Sequence, residues 1–277
     1  MADFNTVFAS LANVNGWMTR DQAQRLWDRA GELKSGDQVV EIGSFQGRSM
    51  CVLASSAPAG VTLFAIDPHG GNDRGPQEID GFAEEAESDH QLFLTNLTNA
   101  GVRDRVTYLR KYANDATDDV KGSLQLLYVD GAHRFKPASE DIRQWGARLN
   151  EGGRLLVHDS FSSIGVTLAL VVLTFFSSQW TYEGRSQSMA QFRRGQNTIG
   201  QRIGSFIRQV AQLPYFALNL LYKGLITLKL KPVAKALGMN VIAWSPNLTD
   251  ERAAEASVKR VSKDELFQTS DVVSVHL

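Results

Sequence analysis

Four short, largely apolar runs, each stopped by an acidic or glycine-bearing turn, constrain this chain more than any other feature. Gln38 to Ile42 (QVVEI) leads into Gly43-Ser44-Phe45-Gln46-Gly47, Val61 to Ile66 (VTLFAI) stops at Asp67, Leu124 to Val129 stops at Asp130, and Arg154 to Val157 stops at His158-Asp159. Segments of helical length lie between them: Arg48 to Ser56, roughly Ala83 to Ala100, and Ala138 to Leu149. Asp21 to Leu33 precedes the first run with apolar residues at helical spacing (Ala23, Leu26, Trp27, Ala30, Leu33), and Val106 to Leu109 adds a fifth strand. Strands alternating with helices predict an α/β fold, a doubly wound and mostly parallel sheet. Trp180 to Glu183 and Ser188 to Phe192, joined through Gly184-Arg185, read as a closing antiparallel hairpin.

Composition removes several alternatives. Twenty-nine Lys and Arg against 30 Asp and Glu give a net charge of -1, which argues against a nucleic-acid partner held by neutralising many phosphates. The single cysteine, Cys51, excludes an intrachain disulfide framework, a Cys-rich zinc site and a redox-active pair, and fits a reducing cytoplasm. Asp3 stands where a secretion signal would carry Lys or Arg, so a cytoplasmic location is expected. Ile164 to Phe176 is shorter than the ~18 to 20 residues of a membrane-spanning helix, so no transmembrane segment is expected and the run reads as a buried helix. Ile199 to Leu230 is amphipathic and basic (Arg202, Arg208, Lys223, Lys229, Lys231) and is interrupted by Pro214. Two short helices packed on or beside the core are expected there, with a surface-seeking membrane role as the other reading.

In an open parallel sheet, ligands bind outside the carboxyl ends of the strands. The first strand end carries Glu41-x-Gly43-x-x-x-Gly47, an acid and two glycines whose spacing differs from the dinucleotide GxGxxG pattern. Alone it fits equally a tight strand-to-helix turn with no ligand. Asp67, at the second strand end, adds a carboxylate able to accept both hydroxyl protons of a ribose, and the two together point to an adenosine-containing ligand. His133, three residues beyond Asp130, carries an imidazole able to take a hydroxyl proton near neutral pH, although a loop histidine bonded to the backbone explains it as well.

Taken in order, VVEIGSFQGRS (Val39 to Ser49), LFAIDPHGG (Leu63 to Gly71), LLYVDGAHRF (Leu126 to Phe135), EGGRLLVHD (Glu151 to Asp159) and SMAQFRRG (Ser188 to Gly195) resemble the class I S-adenosylmethionine (SAM)-dependent methyltransferases over about residues 20–222. The resemblance implies a Rossmann-like fold and SAM as cofactor, with Glu41, Gly43, Ser44 and Gly47 along its methionine and ribose part. It further implies Asp67 on the ribose and Asn114 near the adenine. Methyl transfer is an in-line displacement that rests on positioning the acceptor and removing its proton, so His133 and Asp130 are the expected catalytic residues. Asp130 and Asp159 end neighbouring strands, where resembling O-methyltransferases often bind a divalent ion such as Mg²⁺; His158 departs from that pattern by standing where those enzymes commonly have a second acid. The implied reaction is O-methylation of a hydroxyl on a small molecule or glycan, by a chain that either works alone or forms a homo-oligomer. Its acceptor pocket is expected from the segment before Gln22, the loop Gly70 to Gly81 and the segment after Asp159.

From Lys231 the sequence changes character. KPVAKALGMNVIAWSPNLT and SKDELFQTSDVVSVHL resemble the NAD-binding domain of D-isomer-specific 2-hydroxyacid dehydrogenases. No GxGxxG precedes Val233, and Ser245 stands where a ribose-binding acid would follow the VIAW strand. Without the glycine turn there is no preorganised pyrophosphate site, so an NAD-linked oxidoreductase is the disfavoured alternative, and a catalytically silent cofactor-binding or scaffold protein is another. The expected division is a methyltransferase domain over 1–198, an amphipathic helical extension over 199–230 and a truncated dehydrogenase fragment over 231–277, a fusion of two families. Helices over Pro232 to Leu237, Leu248 to Ala256 and Lys263 to Thr269, and strands over Asn240 to Trp244 and Val272 to Leu277, are expected in that fragment.

Overall fold

The computed structural model describes residues 3–71, 82–221, 240–245, 248–255, 258–262 and 265–266. The chain forms two compact units, Met1–Leu213 and Pro214–Leu277. In the first, Asp3 caps helix α1 (Phe4–Ser10) by accepting from the Asn5 and Thr6 amides, and a Thr19/Gln22 capping box opens α2 (Arg20–Gly31). There follow β1 (Gln38–Ile42), α3 (Arg48–Ser56), β2 (Thr62–Ile66), α4 (Ala83–Asn99), β3 (Val106–Leu109), β4 (Leu124–Val129), α5 (Phe135–Gly146), β5 (Leu149–Val157), α6 (Ile164–Thr174), β6 (Trp180–Ser186), β7 (Met189–Arg194) and α7 (Ile199–Val210).

The expected doubly wound sheet is present. Its seven strands run in the order β3-β2-β1-β4-β5-β7-β6, parallel except for β7, which lies antiparallel to both β5 and β6. The order reverses between β1 and β4, the place where an open sheet leaves a crevice at its carboxyl edge. Val39, Leu63, Leu126 and Leu156 are buried on one face against α2 and α3, and Trp145 of α5 is fully buried. Cys51 lies inside α3, and its burial pushes the thiol up to about 12, which makes it an inert core side chain.

Two expectations change. The closing hairpin turns at Gln187-Ser188, where Gln187 takes φ +50°, instead of at Gly184-Arg185. Gly184, at φ +127°, marks a bulge in β6 that shifts the register against β7. Helix α6 is buried on one face only, by Val166, Thr167, Ala169, Leu170 and Thr174, while Ile164, Leu168, Val171 and Val172 face solvent. No helix among the described residues is long and apolar enough to cross a membrane.

In the second unit, Ile242–Ala243 pairs in parallel with Lys259–Arg260 around the helix Asp250–Glu255, a miniature strand-helix-strand unit. The strand expected over Asn240 to Trp244 and the helix over Leu248 to Ala256 are both found in shortened form, whereas the Lys259–Arg260 strand was not anticipated. The helix expected over Pro232 to Leu237, the strand over Val272 to Leu277 and most of the helix over Lys263 to Thr269 lie outside the described residues, as does most of the loop Gly70 to Gly81.

Candidate active site at the carboxyl edge of the sheet

The carboxyl edge is strained where it turns. Among the described residues, five non-glycine positions adopt positive φ, and four of them directly follow strands of this edge: Phe45 (+45°), His69 (+43°), Asp159 (+53°) and Phe161 (+56°). Such conformations cost about 1–3 kcal/mol each and cluster at functional sites. The glycine turn is held just as firmly. Gly43 sits at φ +83°, and a Cβ there would lie 2.2 Å from the Asp130 carbonyl oxygen, so the close approach of β1 to the end of β4 requires glycine. Gly47, also at φ +83°, N-caps α3 against the Phe93 ring.

Asp67 reaches back over this turn. Its Oδ2 accepts from the Ser44 and Phe45 amides at 2.8 and 2.9 Å, and its Oδ1 from the His69 amide at 2.8 Å. An ionised carboxylate offers about four acceptor positions, so roughly one remains for a ribose hydroxyl rather than two. His69 locks the turn from behind: Nε2 lies 2.7 Å from the Phe45 carbonyl oxygen and Nδ1 2.7 Å from the Tyr108 hydroxyl, which donates to the Asp67 carbonyl. His69 sits in DPHGG, but nothing local marks its role, because its partners come from β3 and from the turn after β1.

Glu41 lies beneath the turn, fully buried, with Oε2 accepting from the Ser44 hydroxyl at 2.7 Å. Burial raises its carboxyl to about 8, against the lowering effect of the Ser49 and Ser44 hydroxyls. Asn114 lies on the 3₁₀ turn Ala113–Ala116 after β3, exposed, with Nδ2 3.4 Å from Glu140 Oε2.

The ends of β4 and β5 bring Asp130, His133, His158 and Asp159 together. The Tyr128 hydroxyl donates to Asp130 Oδ2 at 2.8 Å, and His158 Nδ1 lies 3.0 Å from Asp130 Oδ1 and 3.8 Å from Asp159 Oδ1. Asp159 Oδ2 in turn lies 3.2 Å from His133 Nε2. Burial alone would push His158 down, yet the Asp130 carboxylate, with Asp159 behind it, outweighs burial and raises the imidazole to about 9. His158 is therefore a cation at neutral pH. Burial, aided by Asp130, holds the Tyr128 phenol well above its ordinary range, so it stays a donor.

Two implied groups can be tested against these residues. Glu41 Oε1 and His158 Nε2 are buried without a hydrogen-bond partner, and Ser44 and Asp67 lie beside the first of them on one rim. A partnerless buried carboxyl oxygen beneath the glycine turn suits a polar ligand such as SAM. The arrangement does not suit Mg²⁺. The position between Asp130 and Asp159 is filled by a cationic ring, Asp130 Oδ2 is spent on Tyr128, and no group of three or more His, Cys, Asp or Glu among the described residues is arranged to hold a metal.

Residues 40–160, which span this whole edge, match the family described as a methyltransferase domain. The fold is that of a methyltransferase. The O-methyltransferase NovP superposes on the chain with a TM-score of 0.53 at 15% identity, over 67% of this chain and 84% of that one. A SAM-dependent O-methyltransferase from Thermotoga maritima aligns at 17% identity over 69% and 72% of the two chains, with a TM-score of 0.49. Beyond the methyltransferase domain, residues 218–277 match the NAD-binding domain of D-isomer-specific 2-hydroxyacid dehydrogenases, a match that starts earlier than Lys231. There the chain is 49% identical over 43 residues to a D-3-phosphoglycerate dehydrogenase of Archaeoglobus fulgidus, spanning 16% of this chain and 8% of that protein.

Proposed function

We propose that the protein is a SAM-dependent O-methyltransferase acting on a hydroxyl of a small molecule or sugar, with His133 as the base. The observation that carries this reading is the His133–Asp159 pair, which stands on the same sheet edge as the Asp67-closed glycine turn. Bound SAM would supply a methyl group on a sulfonium, open to in-line attack by an acceptor oxygen. Ser44, Gly43, Gly47 and Glu41 would line it, Asp67 would take one ribose hydroxyl through its remaining lone pair, and Asn114 would face the adenine.

The chain's own groups handle the acceptor. Asp159 faces Nε2 of His133, which fixes the ring and stabilises it once charged, so Nδ1 is the atom that takes the hydroxyl proton. Asp130 cannot be a base of comparable use, because its two oxygens face the Tyr128 hydroxyl and the His158 cation. It instead holds His158 in place, and the His158 charge offsets the two carboxylates that would otherwise oppose each other across the strand ends. No step of this reading passes through a metal.

Calorimetric titration with S-adenosylhomocysteine tests the cofactor directly. Saturable binding to the purified chain, weakened in Asp67→Ala, is expected, and no binding to the wild-type chain would end the proposal. Saturable binding without turnover on a broad panel of hydroxyl acceptors would favour the silent, scaffold reading.

A further inference from the structure

Helix α7 is mounted with its polar side inward. Ser205 and Gln209 are buried: the Ser205 hydroxyl accepts from the Tyr182 amide at 3.0 Å, Gln209 Nε2 donates to the Thr174 carbonyl at 3.1 Å, and the Thr174 hydroxyl donates to Gln209 Oε1 at 2.7 Å. These bonds set the rotation of the helix. They turn its apolar side outward, where Ile199 (68% exposed), Ile203, Ile207 (60%) and Val210 form one stripe at helical spacing. The solvent-facing side of α6, Ile164, Leu168, Val171 and Val172 (64%), ends at Phe176, whose ring meets Phe206 of α7 with centroids 6.1 Å apart. The two apolar faces thus join into one surface, and contiguous exposed apolar surface of this kind marks a docking site.

Charge identifies the occupant. Residues 184–213, the end of the first unit, contain no Asp or Glu but five Arg. On α7 the cations are Arg202, whose guanidinium lies 4.4 Å above the Phe176 ring, and Arg208. Arg208 and Arg185 line an open cleft of about 530 Å³ between β6 and α7. The carboxylate in that cleft, Glu183, is engaged by Arg154 at 2.7 Å and Arg193 at 3.1 Å. A second copy is disfavoured as the occupant: an isologous contact sets the patch against itself, and neither α6 nor α7 carries an Asp or Glu to meet Arg202 and Arg208 of the other copy. An apolar stripe bordered by arginine suits an anionic lipid surface, where the aliphatic side chains enter the acyl boundary and the guanidinium groups meet phosphate.

We propose that the α6/α7 face binds the surface of a membrane containing anionic phospholipid, lying in the interface without crossing it. The test is co-sedimentation of the full chain with vesicles of phosphatidylcholine alone and of phosphatidylcholine mixed with phosphatidylglycerol. The expected result is binding to the mixed vesicles that weakens with added salt. Arg208→Gln should lower the partition coefficient about fivefold. Ile203→Ser with Ile207→Ser should lower it about tenfold or more, with an unchanged circular dichroism spectrum. No sedimentation with either vesicle would overturn the proposal, and so would binding that the isoleucine substitutions leave intact. A chain that ignores vesicles but dimerises, and becomes monomeric by light scattering on the same substitutions, would assign the face to a second copy.

Discussion

His158 Nδ1 stands 3.0 Å from Asp130 Oδ1, an imidazolium set between two carboxylates that end adjacent parallel strands. Strand ends of a parallel sheet lie about 4.8 Å apart, close enough for two ionised acids to repel unless a cation separates them. Here the chain supplies that cation itself. Asp159, at φ +53°, uses its second oxygen for His133, so a single charge chain runs from Tyr128 through Asp130, His158 and Asp159 to His133.

Metal removal follows from this arrangement. Turnover is expected to be unchanged by EDTA, and wild-type protein should give no bound Mn²⁺ signal by electron paramagnetic resonance. His158→Asp replaces the cation with a third acid and should create Mn²⁺ binding where there was none. Activity lost to EDTA and restored by Mg²⁺ would show that Asp130 and Asp159 hold a metal after all.

Replacing His133 by Ala should lower kcat about a hundred- to ten-thousand-fold, the usual contribution of a positioned base, while affinity for S-adenosylhomocysteine stays within about twofold. Asp159→Asn should reduce kcat in the same direction and by less, because the base remains but loses the carboxylate that orients it. An equal loss of cofactor affinity in both variants would assign the pair to binding instead of proton transfer.

Gly43→Ala tests the turn. The substitution places a methyl group 2.2 Å from the Asp130 carbonyl oxygen at a φ of +83°. A destabilisation of about 3 kcal/mol is expected, roughly 10 °C in Tm for a unit of this size. Thermal unfolding followed by circular dichroism measures it, and a shift of a degree or less would mean that β1 and β4 can part without cost.

Local patterns explain what could be read beforehand. A strand followed by an acid is visible in a few consecutive residues, so the sheet and the gathering of Glu41, Asp67, Asp130 and Asp159 near one edge were legible. Contacts across strands were not. His69 bridges the turn after β1 and Tyr108 of β3, and His158 was noted only as a departure from an acidic pattern although its charge organises the β4 and β5 ends. Helix α7 shows a different limit. Its periodicity announces two faces, but which of them points inward depends on Thr174 and the Tyr182 amide, partners on α6 and β6 that take up Gln209 and Ser205. Similarly, an apolar run such as Ile164 to Phe176 reads as buried until α5, with the edge strand β6, proves to cover only one side of it.

Glu41 makes the stability of the fold depend on pH. Its carboxyl, raised by burial from 4.5 to about 8, keeps in the folded state a proton that the unfolded chain has released. Between these two values the folded state binds more protons, so stability falls as pH rises. The contribution is fully present below pH 4.5, declines by up to about 1.4 kcal/mol per pH unit above it, and is gone once the pH passes about 8. Glu41→Gln keeps the shape and hydrogen-bonding capacity of the protonated acid but cannot ionise, so its Tm should lack this part of the decline. Thermal unfolding of both proteins across that range decides it: curves that converge at low pH and separate as pH rises, with the Gln variant the more stable, are expected. Parallel curves would mean that Glu41 is already ionised in the folded chain, held by a group other than the Ser44 and Ser49 hydroxyls.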